Sequence, residues 1–279
     1  MALTLMYITN NPDVARIAQA YGVQRIWIDL EVIGKEERQK NMNTVKSNHT
    51  IEDVRKIAPM LTTSEMLVRL NPWNRHSVQE INHVIDAGAD ILMLPMWRTI
   101  QEVESFIKAV DGRAKTVLLL ETKEAEECLT QVLELQGIDE IHIGLNDLHL
   151  SYHLTFMFEL LTNGTVERIC KKIAAKGLPY GFGGIARLGA GLIPAERIIL
   201  EHYRLGSTRA ILSRTFCDCA KIINLQKVDV TFQENMRSLR NYEIEAEKAG
   251  QAVLKRNQEE LKEAIAQVTQ MRKGQLMER

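Results

Sequence analysis

Two periods of apolar and polar residues alternate along the chain. Short apolar runs, each too brief for a helix, occur at Leu3–Thr9, Arg25–Leu30, Glu65–Leu70, Ile91–Met96, Lys115–Glu121, Glu140–Asp147, Leu178–Phe182 and Arg209–Arg214. Their near-continuous apolar character suits strands buried on both faces of a parallel sheet. The segments between them carry apolar residues at helical spacing and recognisable helix ends. Asn11 and Pro12 open a helix lined by Val14, Ile17, Ala18 and Tyr21, which Gly22 stops. Thr50 and Asp53 form a capping box for a helix reaching about Leu61. Ser77 caps a helix that closes at Gly88, and further helices run from Thr99 to Gly112 and from Thr122 to Gln136. Helical periodicity from Phe156 to Lys176 is interrupted near Asn163 and Gly164, and Pro194 to Leu205 follows the seventh apolar run.

Eight strands alternating with helices predict an α/β fold, the (β/α)8 TIM barrel, over residues 1–220. Residues 221–279 differ in kind. From Phe232 to about Lys273 there is no Pro and a single early Gly250, and Met236, Leu239, Leu254, Leu261, Ile265, Val268 and Met271 form an apolar stripe. This reads as a long C-terminal amphipathic helix whose stripe needs a partner. It serves either as the eighth barrel helix or as an oligomerisation element, so a homo-oligomer formed through it is expected.

Composition narrows the function classes. A chain of 279 residues with 45% apolar and 25% charged residues has material for a sizeable core. Its 35 basic and 36 acidic residues give a net charge of −1, which excludes an overall pull toward nucleic acid or anionic membrane. No apolar stretch approaches a membrane span and no secretory signal pattern is recognisable, so a cytoplasmic location is expected. Cys128, Cys170, Cys217 and Cys219 are too few for a disulfide framework and read as reduced thiols.

In a barrel the functional face lies at the strands' carboxyl ends. Polar residues there are Asp29 and Glu31, Arg69 with Asn71, Glu121, Asn146 and Asp147, Gly183 and Gly184, and Arg214. Glu121 and Asp147 close consecutive strands and suit one hard divalent cation, Mg2+ or Mn2+, which takes oxygen ligands and keeps several waters. The alternative is that both are helix-start acids that complement a helix dipole. Arg69, inside an apolar strand end, binds a substrate carboxylate with its planar fork or makes a salt bridge to Glu31 or Glu121. His149 and His49 are the candidate catalytic bases, whereas His142 reads as a core histidine. Gly181, Gly183 and Ala186 fit a dinucleotide-binding spacing, but Glu201, at the distance where the ribose-binding acid belongs, falls inside a helix. Bare amides near a ligand, or simple close packing, explain these glycines better.

Trp27-Ile-Asp-Leu-Glu31, Val68-Arg-Leu-Asn-Pro72, Gly88-Ala-Asp-Ile-Leu-Met-Leu-Pro95, Leu118-Leu-Leu-Glu121 and Ile143-Gly-Leu-Asn-Asp-Leu148 together resemble the HpcH/HpaI aldolase and citrate lyase family, within the phosphoenolpyruvate/pyruvate superfamily of barrels. The resemblance implies that Glu121 and Asp147 hold the divalent metal, that Arg69 binds the carboxylate of a pyruvate-like moiety, and that the stretch Gly144, Leu145 and Asn146 seats the substrate. The expected activity is metal-dependent carbon–carbon lyase or aldolase chemistry on a small 2-keto acid through an enolate. Aldolases of this family carry a histidine after the Asp-x-Glu, where this chain has Val32. That departure leaves two alternatives: a CoA-ester lyase of the citrate lyase beta type, or a catalytically altered barrel serving as a binding or assembly subunit.

Overall fold

A computed structural model of the chain describes residues 2–35, 48–219 and 224–277. Most of the polar stretch from Gly34 to Asn48, and the start of the C-terminal extension at 221, lie outside them. The eight strands β1 (Thr4–Ile8), β2 (Arg25–Asp29), β3 (Glu65–Arg69), β4 (Ile91–Leu94), β5 (Lys115–Leu120), β6 (Glu140–Ile143), β7 (Tyr180–Ile185) and β8 (Arg209–Leu212) form a closed barrel in sequence order. This is the TIM barrel that the alternation predicts. The chain also divides into two compact units, Leu5–His142 and Met1–Thr4 with Ile143–Arg279. Each is taken by itself below.

In the first unit, β2 to β5 pair in parallel with continuous register, and Asp29 lies directly beside Arg69, which lies beside Met93. The strands are buried because both faces are covered, as their apolar runs require. Helices α1 (Pro12–Ala20), α2 (Ile51–Ile57), α3 (Ser77–Asp86), α4 (Ile100–Val110) and α5 (Lys123–Val132) separate them. Their starts follow the side chains named above. Asn11 Oδ1 accepts from the amides of Asp13 and Val14, and Thr99 and Thr122 hydroxyls accept from Glu102 and Ala125. Ser77 is a correction: it is the first helical residue, and its hydroxyl accepts from Asn74 N at 2.9 Å. At the strands' amino ends, the buried Arg25 bridges Glu65 and Glu140.

In the second unit, α6 (Leu145–Ser151), α7 (Glu159–Thr162), α8 (Thr165–Ala174) and α9 (Ala195–Leu205) come before the tail. β7 begins two residues later than the apolar run suggests and extends through Gly183 and Gly184. Glycines weaken a strand signal, but Gly181 and Gly183 are sterically required here. A Cβ on Gly181 would lie 2.3 Å from the Arg209 carbonyl on β8, and one on Gly183, at φ +51°, would lie 2.7 Å from Leu145 Cδ1. Close packing, not a dinucleotide, accounts for them.

The tail is two helices, α10 (Leu225–Glu247) and α11 (Gln251–Met277), in place of one. Asn224 caps the first through Gln226 N. The chain breaks at Lys248–Gly250, where the Gly250 carbonyl accepts from Val253 and Leu254 and starts the second helix. α10 follows β8 and takes the place of the eighth barrel helix. Leu254, Leu261, Ile265 and Val268 of α11 are buried, and that helix packs on α7 and α9 of the same chain. Met271, assigned to the same stripe from the sequence, is 60% exposed. No described helix is long and apolar enough to cross a membrane.

Leu261 is fully buried under α11. Leu261→Ala is predicted to cost about 2–5 kcal/mol, the range for truncating a core leucine, measured as a lower urea midpoint by circular dichroism. An unchanged midpoint would show that α11 adds nothing to the unit it covers.

Candidate active site

The carboxyl ends of β2 and β3 bring opposite charges into contact. Asp29 ends β2, Arg69 ends β3, and the register makes them neighbours. Arg69 Nε donates to Asp29 Oδ1 at 2.8 Å and Nη2 donates to Oδ2 at 2.9 Å. This is the two-point geometry that a guanidinium and a carboxylate favour. Asp29 is 2% exposed and takes a second cation, Lys35, whose Nζ lies 2.6 Å from Oδ2. Glu31, equally buried, lies 3.3 Å from Arg69 Nη2 and 3.9 Å from Lys35 Nζ. Two carboxylates therefore meet two cations within six residues of chain and one strand beside it.

Burial alone would raise the Asp29 carboxyl, but Arg69 first and Lys35 second outweigh it and hold Asp29 well below the usual carboxylate range. Burial would likewise lower Arg69, yet Asp29, Glu31 and Glu121 keep its guanidinium more firmly charged than usual. The Arg69 guanidinium also lies over the Trp27 ring at 5.3 Å, a cation–π contact from the neighbouring strand. Arg69 Nη1 makes no hydrogen bond among the described residues.

The loop after β2 is fixed by β3. Asn71 Oδ1 accepts from the amides of Val32 and Ile33 at 3.0 and 3.1 Å, and its Nδ2 donates to Glu80 Oε1 at 2.8 Å. Burial of Glu80 raises its carboxyl, against the bonds from Asn71. The Val32 side chain is 63% exposed, so the position where the resembled aldolases have a histidine faces solvent.

Glu121 follows β5 and is 3% exposed, and its Oε1 accepts from Met96 N at 3.1 Å. Met96 holds φ +53°, a left-handed conformation unusual for a side chain of its size. The turn after β4 thus aims an amide at the Glu121 carboxylate and fixes its orientation.

His49 joins this group in a way the sequence does not reveal. Asp29 N donates to His49 Nδ1 at 3.0 Å, so Nδ1 holds a lone pair and the neutral ring carries its proton on Nε2. Burial lowers the His49 pKa, against the pull of Asp29 and Asp53. A ring in that tautomer donates a hydrogen bond at Nε2 and has no lone pair there to act as a base.

In the second unit, Gly144 caps α6, and Leu145, Asn146 and Asp147 form its first turn. Leu145 is buried against Gly183, whereas Gly144, Asn146 and Asp147 are half-buried. His149 is 4% exposed, and its Nδ1 donates to the Leu145 carbonyl at 3.3 Å. Burial lowers its pKa, and Arg272 on α11 adds to that. Its tautomer leaves a lone pair on Nε2, but the ring is packed inside its unit.

Arg69, His49 and Glu121 thus belong to one unit, and Gly144, Leu145, Asn146, Asp147 and His149 to the other. Sequence reasoning named Asp29 and Glu31 as strand-end acids but missed Asp29 as the partner of Arg69. It missed Lys35 altogether, because that lysine sits in a polar stretch with no periodicity.

The family model described as HpcH/HpaI aldolase/citrate lyase matches residues 3–158. An HpcH/HpaI aldolase from Desulfitobacterium hafniense DCB-2 is similar in structure at TM-score 0.60 and 14% identity, covering 76% of this chain and 86% of that one. An HpcH/HpaI aldolase/citrate lyase family protein from Burkholderia cenocepacia J2315 gives TM-score 0.60 and 14% identity, covering 81% and 95%. The citrate synthase SbnG gives TM-score 0.56 and 16% identity, covering 76% and 86%. At these identities the likeness shows the fold. No curated protein sequence matches the chain.

The acid limb of stability tests the Asp29 network. Because the Asp29 pKa is depressed in the folded protein, its stabilisation is complete above the unfolded value of about 3.9 and is lost as pH falls below that. Asp29→Asn is predicted to cost about 3–5 kcal/mol near neutrality, since Arg69 and Lys35 lose a buried counter-charge. It should also flatten the decline in urea stability below about pH 4. A variant with the wild-type acid slope would place that slope elsewhere.

Proposed function

Because the chain belongs to the HpcH/HpaI aldolase/citrate lyase family, we propose that it is a metal-dependent carbon–carbon lyase or aldolase acting on a small 2-keto acid through a pyruvate-like enolate. The observation that carries this reading is the half-buried Arg69, held by Asp29 through Nε and Nη2 with Nη1 left over, in the same unit as the oriented carboxylate of Glu121. A carboxylate-bearing substrate would take Nη1, and the fixed guanidinium would orient it without an entropic cost at the moment of binding.

The donor chemistry fits a hard divalent cation, Mg2+ or Mn2+. Glu121, oriented by the Met96 amide, offers oxygen. Among the described residues no three His, Cys, Asp or Glu side chains gather as a metal cluster. Ligands beyond Glu121 would come from water and substrate. When bound, such a cation polarises the keto carbonyl and stabilises the enolate.

The chain's own residues divide the remaining work. Arg69 binds the substrate carboxylate. His49 donates from Nε2 to oxygen that gains charge, as a neutral imidazole with Nδ1 already occupied. This replaces the base role expected from sequence.

Incubating the protein with pyruvate in D2O and following the methyl signal by proton NMR tests the reading. Exchange is expected with Mg2+ or Mn2+ and not with chelator, and Glu121→Ala should slow it by about a hundredfold or more, an effect of ~2.7 kcal/mol on the barrier. Absence of exchange for pyruvate and for other small 2-keto acids would overturn it.

A further inference from the structure

Cys217 and Cys219, which the proposed activity does not use, lie in the Ile143–Arg279 unit between β8 and α10. In an extended chain, residues two apart stand roughly 6.6–7.2 Å apart at Cα, the outer limit for a disulfide, which takes about 4.4–6.8 Å. Here the chain is not extended. The Cys219 amide donates to the Cys217 carbonyl at 3.1 Å, which closes a three-residue turn, and the two sulfurs lie in contact at 3.6 Å. The turn is anchored just before Cys217. Phe216 N donates to the Ser213 carbonyl at 2.9 Å, and Asn235 Nδ2 on α10 donates to the Phe216 carbonyl at 2.6 Å. The Phe216 ring packs edge-on against Phe232 of the same helix, with centroids 5.9 Å apart. Backbone and helix together therefore hold the two thiols side by side.

The two sulfurs differ in access and in charge. Cys217 is 2% exposed, whereas Cys219 is half-buried. The contact with Cys219, then burial, then the charge of Asp218 between them hold the Cys217 thiol well above its ordinary pKa. Cys217 therefore keeps its proton and directs it at the more exposed sulfur, which ionises first, and the thiolate is the attacking form. We propose that Cys217 and Cys219 form a dithiol site for thiol–disulfide exchange, its substrate a small dialkyl disulfide. The Cys219 thiolate attacks one sulfur of that disulfide, breaks its S–S bond and expels one half as a thiolate. The expelled thiolate takes the Cys217 proton, and Cys217 attacks the Cys219 sulfur. The second half then leaves as a thiolate, which takes up from water the proton that Cys219 first gave up. The two electrons lost by the cysteines are those gained by the disulfide. The site is independent of the lyase reading and of the residues that carry it.

Treating the full-length protein with glutathione disulfide, blocking the remaining thiols with iodoacetamide and mapping tryptic peptides by mass tests the proposal. Trypsin releases the peptide 215–221, which carries both cysteines and neither Cys128 nor Cys170. That peptide is expected unalkylated and two hydrogens lighter, and dithiothreitol should return it to the dithiol. The change should run at least about tenfold faster than any modification of the half-buried Cys128. Cys217→Ser should stop at a glutathione adduct on Cys219, and Cys219→Ser should leave Cys217 unmodified. If a serine variant loses helicity, the wild-type map decides alone. A fully alkylated 215–221 peptide, a glutathione adduct that persists on the wild-type chain, or reaction of Cys217 at the wild-type rate in Cys219→Ser would overturn the proposal.

Discussion

A guanidinium taken out of water must be paid for by a counter-charge, and at the end of β3 that constraint organises the surrounding chain. Arg69 is flanked by the buried Val68 and Leu70, and only 13% of its side chain is exposed. The β2–β3 register supplies Asp29 as its direct neighbour. Once Asp29 is buried it recruits Lys35, and Lys35 brings the chain after β2 back over the strand ends. Asn71, two residues beyond Arg69, then holds the Val32 and Ile33 amides of that returning chain, with Glu80 holding Asn71 in turn. The backbone of Asp29 fixes the tautomer of His49. One ion pair therefore sets the loop path, the accessible nitrogen of Arg69 and the proton position on His49.

The parts of this that were legible in the sequence are those encoded locally. Strand runs such as Arg25–Leu30 and Glu65–Leu70 and caps such as Asn11, Thr99 and Thr122 act through neighbours in sequence, and the fold follows from their alternation. β7 was misplaced because Gly183 and Gly184 break the apolar run, and the reason for such glycines lies on Arg209 and Leu145, far along the chain. The tail's break at Gly250 was passed over because the composition on both sides favours helix. In the site, Arg69, Asp29, Glu31 and Glu121 were all visible at strand ends, but their pairing was only partly so. Arg69 does pair with Glu31, as the sequence suggests, but its two-point partner is Asp29, which register places beside it, and register is not written in either strand alone. Lys35 and the tautomers of His49 and His149 are set by tertiary contacts that leave no periodic trace.

The same electrostatics bear on the missing histidine. Val32 is exposed while its amide is held by Asn71, so the loop keeps its course without a side chain at that position binding anything. A histidine there is therefore dispensable to the fold, and its absence alters chemistry alone. Among the described residues, Asp29 and Glu31 lie beside Arg69 and Lys35 at the ends of β2 and β3, and Glu121 is close enough to act on the Arg69 charge. Asp29 and Glu31 face both of these cations directly. Glu121 is nevertheless buried and oriented by an amide from a turn that adopts a costly left-handed Met96 to deliver it. A strained turn kept to aim that carboxylate agrees with the cation-binding role proposed for Glu121.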